Sequence, residues 1–160
     1  MSDNILAIGE RFNQAEWRPT SIDPDSFTLR VRMGLYNSGP RRELLESLGV
    51  AWTDGINLLL PSPIAGEWDA VEARRVANVI SQHVLSYRYV LLFGQRVCAA
   101  FGVPWVPCQF VPACEMGEAM IGYRTEFVPL PHPSGRCRLW NDPDVRKLVV
   151  KTMQIIKETK

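Results

Sequence analysis

Tyr89-Val-Leu-Leu-Phe-Gly-Gln-Arg96 decides the architecture of this chain. The unbroken apolar run from Tyr89 to Phe93 is the pattern of a strand buried on both faces. Such strands belong to parallel sheets with helices on each side. Gly94-Gln95 then opens a helix through Ala100, which Gly102 ends. The same strand-then-helix unit recurs on either side. Asn4 to Gly9 predicts a first strand, with Ile5, Leu6, Ala7 and Ile8. Gly55 to Leu60 predicts a second, closed by Pro61-Ser62-Pro63, and Phe127 to Leu130 a fourth. Helical spacing predicts helices over 39–48 (Leu44, Leu45, Leu48), over 68–87, with Val71, Val76, Val79, Ile80 and Val84 on one side, and over 142–156, with Val145, Leu148, Val149, Met153 and Ile156. Residues 10–38 carry few periodic signals, and a loop of that length within a domain is usually functional or ordered by its ligand. The expectation is an α/β fold, a three-layer α/β/α sandwich with a central, mainly parallel four-stranded sheet, as a single domain over 1–160.

The 160 residues are enough to bury a sizeable core, and 46% apolar with 22% charged residues is ordinary for a globular domain. The net charge of +1 excludes a global basic signature, so contact with nucleic acid has to come from a local patch. No apolar run is long enough to span a bilayer, and Met-Ser-Asp-Asn lacks the layout of a signal peptide. A cytoplasmic monomer without a membrane partner is expected. Cys98, Cys108, Cys114 and Cys137 contain no C-x-x-C pair. They read as reduced thiols, some of them buried, and no metal or other cofactor is expected.

In parallel α/β sheets the ligand site forms beyond the carboxyl ends of the strands. Those ends are Gly9-Glu10, Leu60-Pro61, Phe93-Gly94 and Pro131-His132, and Glu10 and His132 are the two with acid–base potential. Gly9 lets a ligand approach the backbone closely, and a carboxylate after it can position water or stabilise a cation. A surface glutamate paired with Arg11 is the plainer reading of Glu10. Asn57, set in an apolar strand, either reads an amide-like edge or bonds neighbouring backbone. Leu92-Phe93-Gly94-Gln95-Arg96 could hold an anion at a helix start, though a tight turn accounts for it. In Pro131-His-Pro-Ser-Gly-Arg-Cys-Arg-Leu-Trp140 the prolines stiffen the backbone around His132. Ser134 and the N–H groups of Gly135 and Arg136 suit a phosphate, with Arg138 nearby. Leu139 suits a wedge entering a base stack, whereas Trp140 reads as packing for the last helix.

Taken in order, these segments resemble the uracil-DNA glycosylase superfamily. Ile8-Gly9-Glu10 is similar to the first motif of its Gly-Glu families, and Asn57 falls where the family has a base-reading asparagine. Leu91-Leu92-Phe93-Gly94 is similar to its strand–Gly–helix element, and His132-Pro133-Ser134 to its His-Pro-Ser motif. The resemblance implies cleavage of the N-glycosidic bond of uracil or a modified base, flipped out of single- or double-stranded DNA, leaving an abasic site. It implies that Glu10 positions water or stabilises the sugar cation, that His132 donates to the departing base, that Asn57 reads the base edge, and that Phe12 or Tyr36 stacks on it. Ser134, Gly135, Arg136 and Arg138 would hold DNA, with Leu139 as wedge. The chain departs from those families after Glu10, where Arg11-Phe12-Asn13 replaces Ala-Pro-Gly, and Asn13 thereby becomes a rival for positioning water. Two other classes remain open. One is an N-glycosidic hydrolase or transferase of free nucleosides or nucleotides. The other is a non-catalytic binder of modified bases.

Overall fold

The computed structural model describes residues 5–11, 40–59, 64, 67–117, 120–133 and 137–158, with backbone alone for 40–42. Its centre is a five-stranded sheet in the order β2-β1-β3-β5-β4. The strands are β1 (Ile5–Arg11), β2 (Asp54–Leu59), β3 (Tyr89–Phe93), β4 (Val111–Pro112) and β5 (Glu126–Leu130). The four long strands run parallel, and β4 pairs antiparallel with β5. The sheet therefore has one strand more than the sequence predicts. Val111-Pro112 is too short to carry a period-2 pattern, and its pairing with Phe127 and Glu126 is what makes it a strand.

Helices cover both faces. On one side lie α2 (Ala70–Val79), α3 (Ser81–Val84) and α4 (Gln95–Phe101), packed on Leu6, Ile8, Ile56, Leu58, Val90 and Leu92. On the other lie α1 (Pro40–Ser47) and α5 (Pro143–Glu158), packed on Ala7, Leu91, Phe93, Val128 and Leu130. Alternate residues of β1 and β3 thus feed opposite cores, as a strand's period of two requires. This is the α/β sandwich expected of the sequence, with both faces of the parallel sheet covered.

Two elements differ from expectation. The helix predicted over 68–87 breaks at Ile80, where the Ser81 hydroxyl donates to the Asn78 carbonyl at 2.9 Å and competes with the helical ladder. Its buried face is Ala73, Val76, Ala77, Ile80 and Val84, while Val71 and Val79 point outward at 82% and 65% exposure. Val76, Ile80 and Val84 follow the four-residue spacing, and Val71 and Val79 lie round the cylinder from them. In the second difference, β1 runs past Gly9 through Arg11, because Arg11 still pairs with Leu59 of β2. Glu10 is therefore a strand residue and not the first residue of a loop.

At the amino ends of the strands, the Tyr87 hydroxyl donates to Asp54 Oδ2 at 2.5 Å, and His83 Nε2 lies 3.2 Å from the Tyr87 hydroxyl oxygen. Burial, then the hydrogen bond to Asp54, raises the Tyr87 pKa well above that of a free phenol. Burial lowers that of His83, against the pull of Asp54. This clasp ties α3 to β2 at the end of the sheet away from Glu10 and His132. Cys98, Cys108, Cys114 and Cys137 are free thiols, and Cys98 and Cys108 are buried. Burial pushes the Cys98 thiol up to about 12. No described helix is long and apolar enough to cross a membrane.

Candidate active site

At the carboxyl ends of β1, β3 and β5, three residues meet. Glu10 alternates with Leu6 and Ile8, so its side chain lies on the face covered by α2 and α4. His132 follows β5 by two residues, and its Nε2 is 3.7 Å from Glu10 Oε2. Between them, directly after β3, is Gly94. Its N–H donates to the Leu130 carbonyl at 2.8 Å, which ties β3 to β5 at this level. Gly94 has φ +100, and a Cβ there would sit 3.2 Å from Glu10 Oε2 and 3.3 Å from His132 Cβ. The missing side chain is what lets the carboxylate and the imidazole approach each other.

The electrostatics set the state of the pair. Burial lowers the pKa of His132; the Glu10 charge opposes that shift and Arg96 adds to it. The imidazole is therefore neutral at pH 7, and its approach to Glu10 is a contact between a carboxylate and a neutral ring. A neutral histidine keeps one N–H to donate. Arg96, in the first turn of α4, places a guanidinium nitrogen 3.8 Å from Glu10 Oε1. Glu10 and His132 keep 21% and 27% of their side-chain surface exposed, enough to meet a ligand.

The His132 backbone is held from below. Its carbonyl accepts a 2.8 Å hydrogen bond from Trp140 Nε1, and the Trp140 carbonyl in turn accepts from Arg146 Nε of α5. Trp140 is fully buried in the core under α1 and α5, the packing role expected of it. Trp140→Phe removes the N–H and leaves the His132 carbonyl without that donor, at a cost of about 1–3 kcal/mol. Urea unfolding should show that loss, and the histidine's ring resonances should broaden as its loop loosens. An unchanged midpoint and unchanged resonances would show that the bond does not hold the loop.

No family model matches this chain, and no curated protein does.

Asn57 is 3% exposed and pairs in register with Gly9, one residue before Glu10. It alternates with Ile56 and Leu58, so its side chain faces the α1/α5 side, opposite to Glu10. Asn57 therefore lies beside Gly9 on the other face of the sheet from the Glu10–His132 pair. Arg138 is exposed and Leu139 half-buried, both in a short 3₁₀ turn, Arg138–Asn141, that Trp140 anchors. Phe12, Asn13, Tyr36, Ser134, Gly135 and Arg136 lie outside the described residues. Among the described residues no group of three or more His, Cys, Asp or Glu side chains is arranged to hold a metal ion. Sequence reading placed Phe93-Gly94 at a strand end and took Gly94-Gln95-Arg96 as a tight turn in preference to an anion site, without joining Gly94 or Arg96 to the Glu10–His132 pair. The signal available for them was their place immediately after a buried strand, where a parallel sheet opens its ligand site.

Proposed function

We propose that this chain is a monofunctional DNA base glycosylase, which hydrolyses the N-glycosidic bond of a flipped base and leaves an abasic site. The observation that carries the reading is the half-buried His132, whose neutral form burial favours, facing the Glu10 side chain at 3.7 Å at the carboxyl ends of parallel strands. Cleavage of the bond leaves positive charge on the sugar and negative charge on the departing base. The two groups match those charges. Glu10 faces the sugar, stabilising the cation and steering the water whose oxygen joins the anomeric carbon. His132 donates its N–H to the base oxygen on which negative charge accumulates. No lysine stands in these segments to form a Schiff base with the sugar, which supports simple hydrolysis over strand cleavage.

The test is release of base from duplex and single-stranded oligonucleotides carrying uracil, a thymine mismatch, hydroxymethyluracil or a glucosylated base, read as alkali-labile abasic sites. Product from any of them supports the reading. Release from a free nucleoside and from no DNA would transfer the same chemistry to a nucleoside hydrolase. Binding to modified DNA without release would make the chain a reader of bases.

The pH profile follows from His132. Activity should hold from pH 8 down through 6.5 and fall only below the lowered pKa of the folded state, where the protonated ring pairs with Glu10 and cancels its charge. Stability has the same sign. Below pH 6.5 the unfolded chain takes up this proton before the folded one, so stability falls as pH falls from 6.5 to the folded value. His132→Gln should remove that part of the slope in denaturant titrations. A slope unchanged by the substitution would mean that His132 is not the group responsible.

A further inference from the structure

A groove of about 250 Å³ lies between α2 and α4, on the sheet face that carries Glu10. Its floor includes Ala73 and Ala100, which are buried, and one wall is the half-buried indole of Trp68. Its charged lining among the described residues is two arginines, Arg74 of α2 and Arg96 of α4. The Arg96 guanidinium lies over the Trp68 ring, 5.6 Å from its centroid, and the same side chain reaches Glu10. One residue therefore joins the groove to the candidate active site.

No acid is among the lining residues described, and the acids near the start of α2 have partners of their own. Glu72 is closed in a two-point pair with Arg75 at 2.6 and 3.0 Å, and Asp69 caps α2 by accepting the Glu72 N–H at 3.0 Å. Two guanidiniums over an apolar floor beside an indole suit an anion attached to a flat apolar group. The volume lies just under the ~300–1,000 Å³ of drug-sized pockets, which fits one nucleotide unit.

We propose that the α2–α4 groove binds one phosphate-bearing nucleotide unit, with its phosphate between Arg74 and Arg96 and its ring or sugar against Trp68. In the glycosylase reading, on which this source of the phosphate rests, the unit belongs to the DNA strand next to the base held by Glu10 and His132. Phosphate contacts of this kind position a strand without reading its sequence.

The test uses the full chain and measures binding of a single-stranded oligonucleotide that carries no excisable base, and separately of a nucleoside monophosphate, by anisotropy or titration across salt concentrations. Arg74 is exposed and touches neither Glu10 nor His132 in any contact described above, so Arg74→Ala should fold and Arg74→Lys should retain binding. Arg74→Ala should weaken strand binding about 5-fold at ~0.1 M salt and lower the slope of log K against log salt by about 0.7, the loss of one phosphate contact. Weakening on the monophosphate with no strand binding would keep the groove and make free nucleotide its ligand. Equal binding by wild type and Arg74→Ala on both probes, or no binding of either probe by wild type, would overturn the proposal. Strand binding that depends on Arg74 without any base release would sustain the groove while the glycosylase reading fails.

Discussion

His132→Ala is expected to lower base release roughly 10²–10³-fold, the usual consequence of deleting one donor aimed at a developing anion. The loss should fall on the chemical step. In the proposed reading His132 contributes one N–H to the leaving base and affinity would draw mainly on the proposed phosphate contacts, so binding should change little. Single-turnover kinetics with enzyme in excess separates the two. His132→Gln keeps an N–H donor and should recover part of the rate. If alanine and wild type release base at the same rate, the imidazole does not touch the leaving group and the assignment of Glu10 loses its partner.

Gly94→Ala is expected to damage stability and activity together. An L residue at φ +100 costs about 1–3 kcal/mol in backbone strain alone. The added methyl would also stand 3.2 Å from Glu10 Oε2 and 3.3 Å from His132 Cβ, closer than carbon contacts normally come. Glu10 and His132 would have to part by a few tenths of an ångström, and a misplacement near 1 Å costs about 10²-fold in rate. Urea unfolding gives the first effect. Single-turnover rates at a temperature where the variant is fully folded give the second. A Gly94→Ala protein as stable and as active as wild type would show that Gly94 does not set the approach of the pair.

Much of the fold was legible because its four long strands are largely apolar runs with Gly or Pro at or near their ends. Four of the five strands and both covering layers follow from that pattern. β4 was not legible, since two residues carry no period and only tertiary pairing makes them a strand. The outward turn of Val71 and Val79 was hidden for another reason: apolar residues flank both sides of α2, and only packing selects the face with Ala73 and Ala77. Within the site, Glu10 and His132 were legible as polar residues at strand ends, and the structure brings them together. The face of Asn57 was not, because a strand buried on both sides loses the polar–apolar alternation that would reveal it. Arg96 and Trp68 are far apart in sequence and meet only because α4 packs on α2, a contact no local pattern announces.

The two-residue strand β4 has a consequence for how the molecule behaves at high concentration. A parallel sheet ending in β5 would offer a row of free N–H and C=O groups to any passing extended chain, the template on which sheets join edge to edge and aggregate. Val111 and Pro112 occupy that row at Phe127 and Glu126, and Pro112 has no N–H to present to the next chain. The 3₁₀ turn Ala113–Glu115 then leads the backbone away from the edge. A strand too short to show in the sequence thus serves as a stop, closing the sheet against further growth on that side.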